Sequence, residues 1–146
     1  MKKSMRIICV ILVLSMVLMV PVYADSSVES RGSAFFSAYG ASLYKTSSTS
    51  FEVWFDVNAN AAMMHEIGVS LIEVYRSPDG ENWTLMKTYE KEDYPEMTDT
   101  NTAGHMACVT YNGATPGYQY TAYVEFYARN SIGTGIRDVY TYVLQM

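Results

Sequence analysis

Between residues 34 and 144, apolar side chains recur at every second position in short runs separated by clusters of Gly, Pro, Asn, Asp and Ser. No stretch of helical length repeats apolar residues at i, i+3, i+4 and i+7, so the pattern predicts strands throughout. The clearest run is 51–57 (FEVWFDV). Phe51, Val53, Phe55 and Val57 share one face there, and Glu52 and Asp56 share the other with Trp54, read either as a rim residue covered by a neighbouring strand or as an exposed aromatic. Residues 67–76 turn Ile72 and Val74 inward and Glu73 and Tyr75 outward. The turn at 77–80 (SPDG) follows because proline fixes φ and glycine accepts a positive one. A return strand is predicted over 83–89. The longest irregular stretch, 90–104, reads as a crossover loop whose five acids, Glu90, Glu92, Asp93, Glu96 and Asp99, are solvated. It lacks the D-x-[DN]-x-[DN]-G spacing of a calcium loop. Strands resume over 105–111, 118–129 and 136–144.

With 130–135 as the loop of the last hairpin, Arg129 stands opposite Ile136, Phe126 opposite Val139 and Ala122 opposite Val143, and the apolar parity of the two strands agrees. The outer face then presents Tyr123 opposite Tyr142, Glu125 opposite Tyr140, and Tyr127 opposite Asp138. About seven strands with one long crossover predict a single all-β domain over 34–146, a two-sheet antiparallel sandwich.

A family resemblance enters here. The run Pro116-Gly117-Tyr118-Gln119-Tyr120, the alternating Ala122, Val124, Phe126 and Ala128, and then Asn130-Ser131-Ile132-Gly133-Thr134-Gly135 together resemble the fibronectin type III signature. Residues 77–83 (SPDGENW) are similar to the hairpin between that family's third and fourth strands. Ala114 stands where the family usually has leucine, and 120–130 is two residues longer than usual. The resemblance implies an immunoglobulin-like sandwich in which the Tyr120 hydroxyl bonds back to upstream backbone. Over nearly all of 34–144 the chain also resembles short exported proteins of Gram-positive bacteria of unknown function, which implies an extracellular compartment and no particular activity.

The N-terminus changes the picture of where the domain works. Lys2, Lys3 and Arg6 precede an apolar run of 14 residues, 7–20, followed by Val22-Tyr23-Ala24. This is the pattern of a cleavable signal peptide over 1–24, too short to span a bilayer comfortably. A polar, small-residue lead-in, 25–33 (DSSVESRGS), follows. The expected product is secreted, with no membrane insertion once the signal is gone, and is free or associated with the cell surface. Loss of the three signal cations takes the formal charge from −5 to −8 and leaves seven scattered Lys and Arg residues, which argues against nucleic acid as a partner. Cys9 leaves with the signal, so Cys108 stays alone and reads as a small buried hydrophobe, with an intermolecular bridge as the alternative.

No catalytic or cofactor motif is present. His105 and Cys108, three apart on a strand, point to opposite faces and cannot share a proton. Zinc, phosphate-loop and nucleophile-elbow patterns are absent, so no enzyme, metal or cofactor is expected. Met63-Met64-His65 reads as loop packing at one end of the sandwich. The candidate binding feature is aromatic: Tyr75, Tyr123, Tyr127, Tyr140 and Tyr142 on the outer face of one sheet, and Trp54 elsewhere. Such rings suit stacking on a protein partner or a sugar, and they also stabilise a solvated sheet face without binding anything. The expected role is a non-catalytic protein-interaction module, with a carbohydrate-binding module as the alternative.

Overall fold

Nine strands follow one another along the described residues: β1 (Phe36–Lys45), β2 (Phe51–Ala59), β3 (Glu66–Ser77), β4 (Thr84–Glu90), β5 (Thr98–Asp99), β6 (Gly104–Tyr111), β7 (Gln119–Arg129), β8 (Thr134–Tyr140) and β9 (Leu144–Gln145). The structure is a computed structural model and describes residues 35–60 and 63–146. The signal-like segment 1–24 and the lead-in 25–33 lie outside the described residues. A three-stranded sheet has the order β1-β2-β6, and a larger sheet the order β4-β3-β7-β8, with β5 beside β3 and β9 beside β7. Every pairing is antiparallel. Two of the nine strands, β5 and β9, are two-residue pieces, which is why the sequence suggested about seven.

The core is the sum of the inward faces. Phe51, Val53, Phe55 and Val57 of β2 face Tyr120, Ala122, Val124, Phe126 and Ala128 of β7, and all nine are buried. Strand β3 contributes Ile67 and Val69 and then, one residue out of phase, Ile72 and Val74. The register shift between Val69 and Leu71 makes that possible, because an extra residue, Ser70, turns the following side chains over. Aromatic rings join the layers: Tyr120 packs 5.2 Å from Phe51, and Tyr39 5.2 Å from Phe126. At the corner entering β7, the buried Tyr120 hydroxyl accepts a hydrogen bond from the Thr115 backbone N–H at 2.8 Å.

The 77–82 turn is tied by its own side chains. Ser77 Oγ accepts from the Gly80 N–H, and the Asp79 carboxylate accepts from the Glu81 and Asn82 N–H groups and from Asn82 Nδ2. Those bonds, the Asn82 backbone foremost, hold the Asp79 carboxyl well below the usual range.

Three expectations are corrected. The 90–104 segment is more than a loop. It holds a 3₁₀ turn, Pro95–Met97, then β5, and it buries Met97 in the core. Its backbone passes so close to β3 that a Cβ on residue 68 would lie 2.1 Å from the Met97 carbonyl oxygen, which leaves only glycine there. The last hairpin is two residues tighter than expected. Asn130 Oδ1 accepts from the Ile132 and Gly133 N–H groups and closes a loop of 130–133. Phe126 therefore pairs with Arg137, Val124 with Val139 and Tyr123 with Tyr140, while Glu125 meets Asp138 and Tyr127 meets Ile136; Arg129 stands opposite Thr134. The shift of two preserves parity, so the faces are as expected even though the partners are not.

Beyond Tyr140 the strand slips by one. Tyr123 pairs with Tyr140 in β8, but Tyr120 pairs with Leu144 in β9, one residue further along than the β8 register would place it. Thr141 anchors the break: its Oγ1 accepts from the Ala122 N–H at 2.9 Å and its carbonyl from Thr121 Oγ1 at 3.0 Å. A slip of one turns over everything after it. The tighter hairpin already puts Ala122 beside Thr141 and not Val143, and the slip that follows leaves Val143 exposed while Leu144 and Met146 pack inward.

Candidate functional site

The outer face of the larger sheet carries four of the five expected tyrosines, each engaged through its ring or its hydroxyl. Tyr75 Oη donates to Glu73 Oε2 at 2.5 Å, and that bond, with some burial, pushes the phenol up to about 12. Tyr123 and Tyr140 tilt against each other at 5.3 Å. Burial, followed by the nearby Asp138 and Glu125 carboxylates, raises Tyr123 above its ordinary value. Lys91 Nζ sits 3.9 Å over the Tyr127 ring and also bonds Glu66 at 2.9 Å, with Arg129 3.4 Å from the other Glu66 oxygen. Partial burial pushes Glu66 up, but Lys91 and Arg129 outweigh it and hold the carboxyl below its ordinary value. This face is a network of pairs within and between strands, of which Tyr123–Tyr140 and Glu66–Arg129 are the cross-strand kind that stabilises a solvated sheet.

Tyr142, the fifth, is elsewhere. The one-residue slip carries it off the tyrosine face to the side of β1, where it borders a hollow over the outside of the three-stranded sheet. The registers of β1, β2 and β6 build that outside in rows: Ala38, Asn58 and Gly104; Gly40, Asp56 and Met106; Ser42, Trp54 and Cys108; Tyr44, Glu52 and Thr110. The hollow has a volume of about 490 Å³. Its floor is the small-residue line Ala38, Gly40 and Ser42 of β1, and its rim is Trp54, Tyr44, Met106 and Tyr142, which are 37%, 57%, 64% and 70% exposed. Trp54 is thus the exposed aromatic of the two options, held at one end where its indole N–H donates to Glu52 Oε2 at 2.7 Å.

Gly40 is distinctive within this floor. Its φ is not positive, and a Cβ built on it would meet no atom of the described residues within 4 Å. Neither backbone conformation nor packing calls for glycine at this position. Beyond β1, a second hollow of about 250 Å³ runs between Ser42, Tyr44 and the exposed stretch Tyr142 and Val143.

Cys108 lies in the Trp54 row, half-buried on the outer face and not in the core, and burial followed by the Glu52 charge raises its thiol. His105 is on the opposite face of β6, against Phe55 and 2.9 Å from the Glu96 carbonyl oxygen. Met64 is buried and bridges to Thr102, and Met63 is exposed. Among the described residues no three of His, Cys, Asp and Glu converge as metal ligands. Gly40, Tyr44 and Met106 were not singled out by sequence. The available signal was a glycine inside an alternating strand with no turn to make. The chain matches no family model and no curated protein.

Proposed function

We propose that the chain is an exported, non-catalytic recognition domain of immunoglobulin-like, fibronectin type III-like architecture that binds an extracellular protein partner through the outside of its three-stranded sheet. The sheet orders β1-β2-β6 and β4-β3-β7-β8, together with the Thr115 to Tyr120 bond, support the architectural part. The cationic head, apolar run and Val22-Tyr23-Ala24 support export. The observation that carries the binding role is Gly40. Glycine inside a strand costs roughly 0.5–1 kcal/mol relative to alanine. At position 40 nothing among the described residues requires that cost; a strand glycine marks a bulge, a tight bend or the close approach of a ligand or another backbone, and the register shift of β1 lies at 36–38 and not at Gly40. Exposed aromatics around a concave apolar patch are what recognition surfaces are made of.

A photo-reactive side chain introduced at Tyr142 tests this on the surface of the producing cell and in its medium. It should capture a protein, whereas the same group at Tyr127 on the tyrosine face should not. Equal capture from both positions refutes the assignment of the surface. The second reading is a glycan-binding domain, favoured by Trp54 standing beside the acceptor Asp56 in an open hollow. Binding on a glycan array that disappears in Trp54→Ala, with no protein captured, selects it.

A further inference from the structure

We infer that the hollow over Gly40 receives a cationic side chain, that of an arginine or lysine on an extended segment of the protein partner; this rests on the recognition reading above. The chain itself shows the chemistry. Arg76 lies 4.7 Å over Tyr118, Lys87 lies near Tyr89 and Tyr94, and Lys91 lies over Tyr127, so three of its own cations are already seated on tyrosine rings. Among the described residues Trp54, Tyr44 and Tyr142 have no such cation and do not stack on one another, although all three border one space. Aromatic faces attract ammonium and guanidinium groups by the ring quadrupole, most strongly for tryptophan.

Charge points the same way. The twelve outward positions of this sheet carry Glu52 and Asp56 and no lysine or arginine. Among the described residues Asp56 accepts one long hydrogen bond, 3.3 Å from Asn58 Nδ2, which leaves lone pairs for a guest. A neutral sugar would use the rings and leave this single sign unused. The floor supplies the access: β1 is an edge strand, and the absence of a side chain at Gly40 lets a side chain from a segment running beside β1 lie across it towards Trp54.

The test titrates the purified protein with a blocked hexapeptide alternating arginine and serine, its citrulline and glutamate counterparts, tetramethylammonium and cellohexaose, following the NMR signals of Trp54, Tyr44 and Tyr142. The arginine peptide alone should move them. Its affinity should fall at least about threefold in Asp56→Asn, which keeps size and shape, and about tenfold or more in Gly40→Val. Circular dichroism confirms that both variants are folded. Equal binding of the citrulline peptide overturns the cationic assignment and leaves the recognition surface standing. Tetramethylammonium binding as tightly as the arginine peptide overturns the peptide part, and cellohexaose binding alone overturns the inference in favour of a glycan. Unmoved signals at about 10 mM arginine peptide, a concentration that detects even millimolar affinity, overturn it as well, while cross-linking from Tyr142 judges the recognition reading separately.

Discussion

Replacing Gly40 with valine separates stability from binding at one position. In the folded chain the new Cβ enters open space, and the backbone is not in the left-handed region, so no strain opposes the change. In the unfolded chain glycine has the most freedom to lose, and removing it favours folding by roughly 0.5–1 kcal/mol. Valine also suits a strand, on a scale spanning about 1 kcal/mol. The net expectation is a gain of about 1 kcal/mol, or about 3–6 °C in Tm for a domain of this size. Differential scanning calorimetry and guanidinium unfolding read that gain, and cross-linking from Tyr142 reads recognition in the same sample. The expected pair of results is a higher Tm with the partner lost. A lower Tm would mean that the fold needs glycine there and that its presence says nothing about a ligand. A higher Tm with the partner retained would remove the hollow from the binding surface.

Other perturbations probe the frame that holds this surface. Tyr120→Phe removes the acceptor of the Thr115 N–H and should cost about 1–2 kcal/mol in guanidinium unfolding, where a loss within error would show that water replaces the hydroxyl. Gly68→Ala drives a methyl into the Met97 carbonyl and should destabilise by about 3 kcal/mol or more, read as a large drop in Tm or as insoluble expression; near-neutral behaviour would contradict the close passage of β5. Tyr75 and Tyr89 are both pushed up to about 12, Tyr75 chiefly by its bond to Glu73 and Tyr89 chiefly by burial. The folded state thus holds these protons more tightly, and the stabilisation is complete below the unfolded value of about 10 and is lost as pH rises through about 12. Ultraviolet titration of tyrosinate should show these two ionising late, with Glu73→Gln drawing Tyr75 back towards 10; a single transition near 10 for all tyrosines would contradict it.

Strand phase was legible because burial enforces it: β2 and β7 alternate apolar residues without interruption, and those inward residues all lie in the core. Register was less so. A loop of 130–135 and one of 130–133 differ by two residues and satisfy the same parity, and only the Asn130 side chain, which caps the shorter loop, distinguishes them. Val143 and Leu144 are adjacent and both apolar, so alternation from Val139 chose the first. The choice is decided instead by the terminal residue, whose N–H donates to the Tyr118 carbonyl and whose own carbonyl accepts from the Gly117 N–H, fixing β9 one place further along. Met97 was hidden in an acid-rich segment whose composition reads as solvated. At the candidate site, Trp54 was visible from β2 alone, whereas Gly40, Tyr44 and Met106 become its neighbours only once β1 and β6 flank β2, a long-range pairing that no local pattern reveals.

The slip between Tyr140 and Leu144 makes loop length a selector between two surfaces. Deleting Val143 would let β8 and β9 run on as a single strand in one register, with Leu144 still opposite Tyr120 and Tyr142 facing the same way as Tyr140. One codon would then strip the hollow of an aromatic wall and add a ring to the tyrosine network on the opposite side of the molecule. A domain built this way can redistribute its exposed aromatics between two outer faces by a change in chain length alone, with every side chain of its interior left as it was.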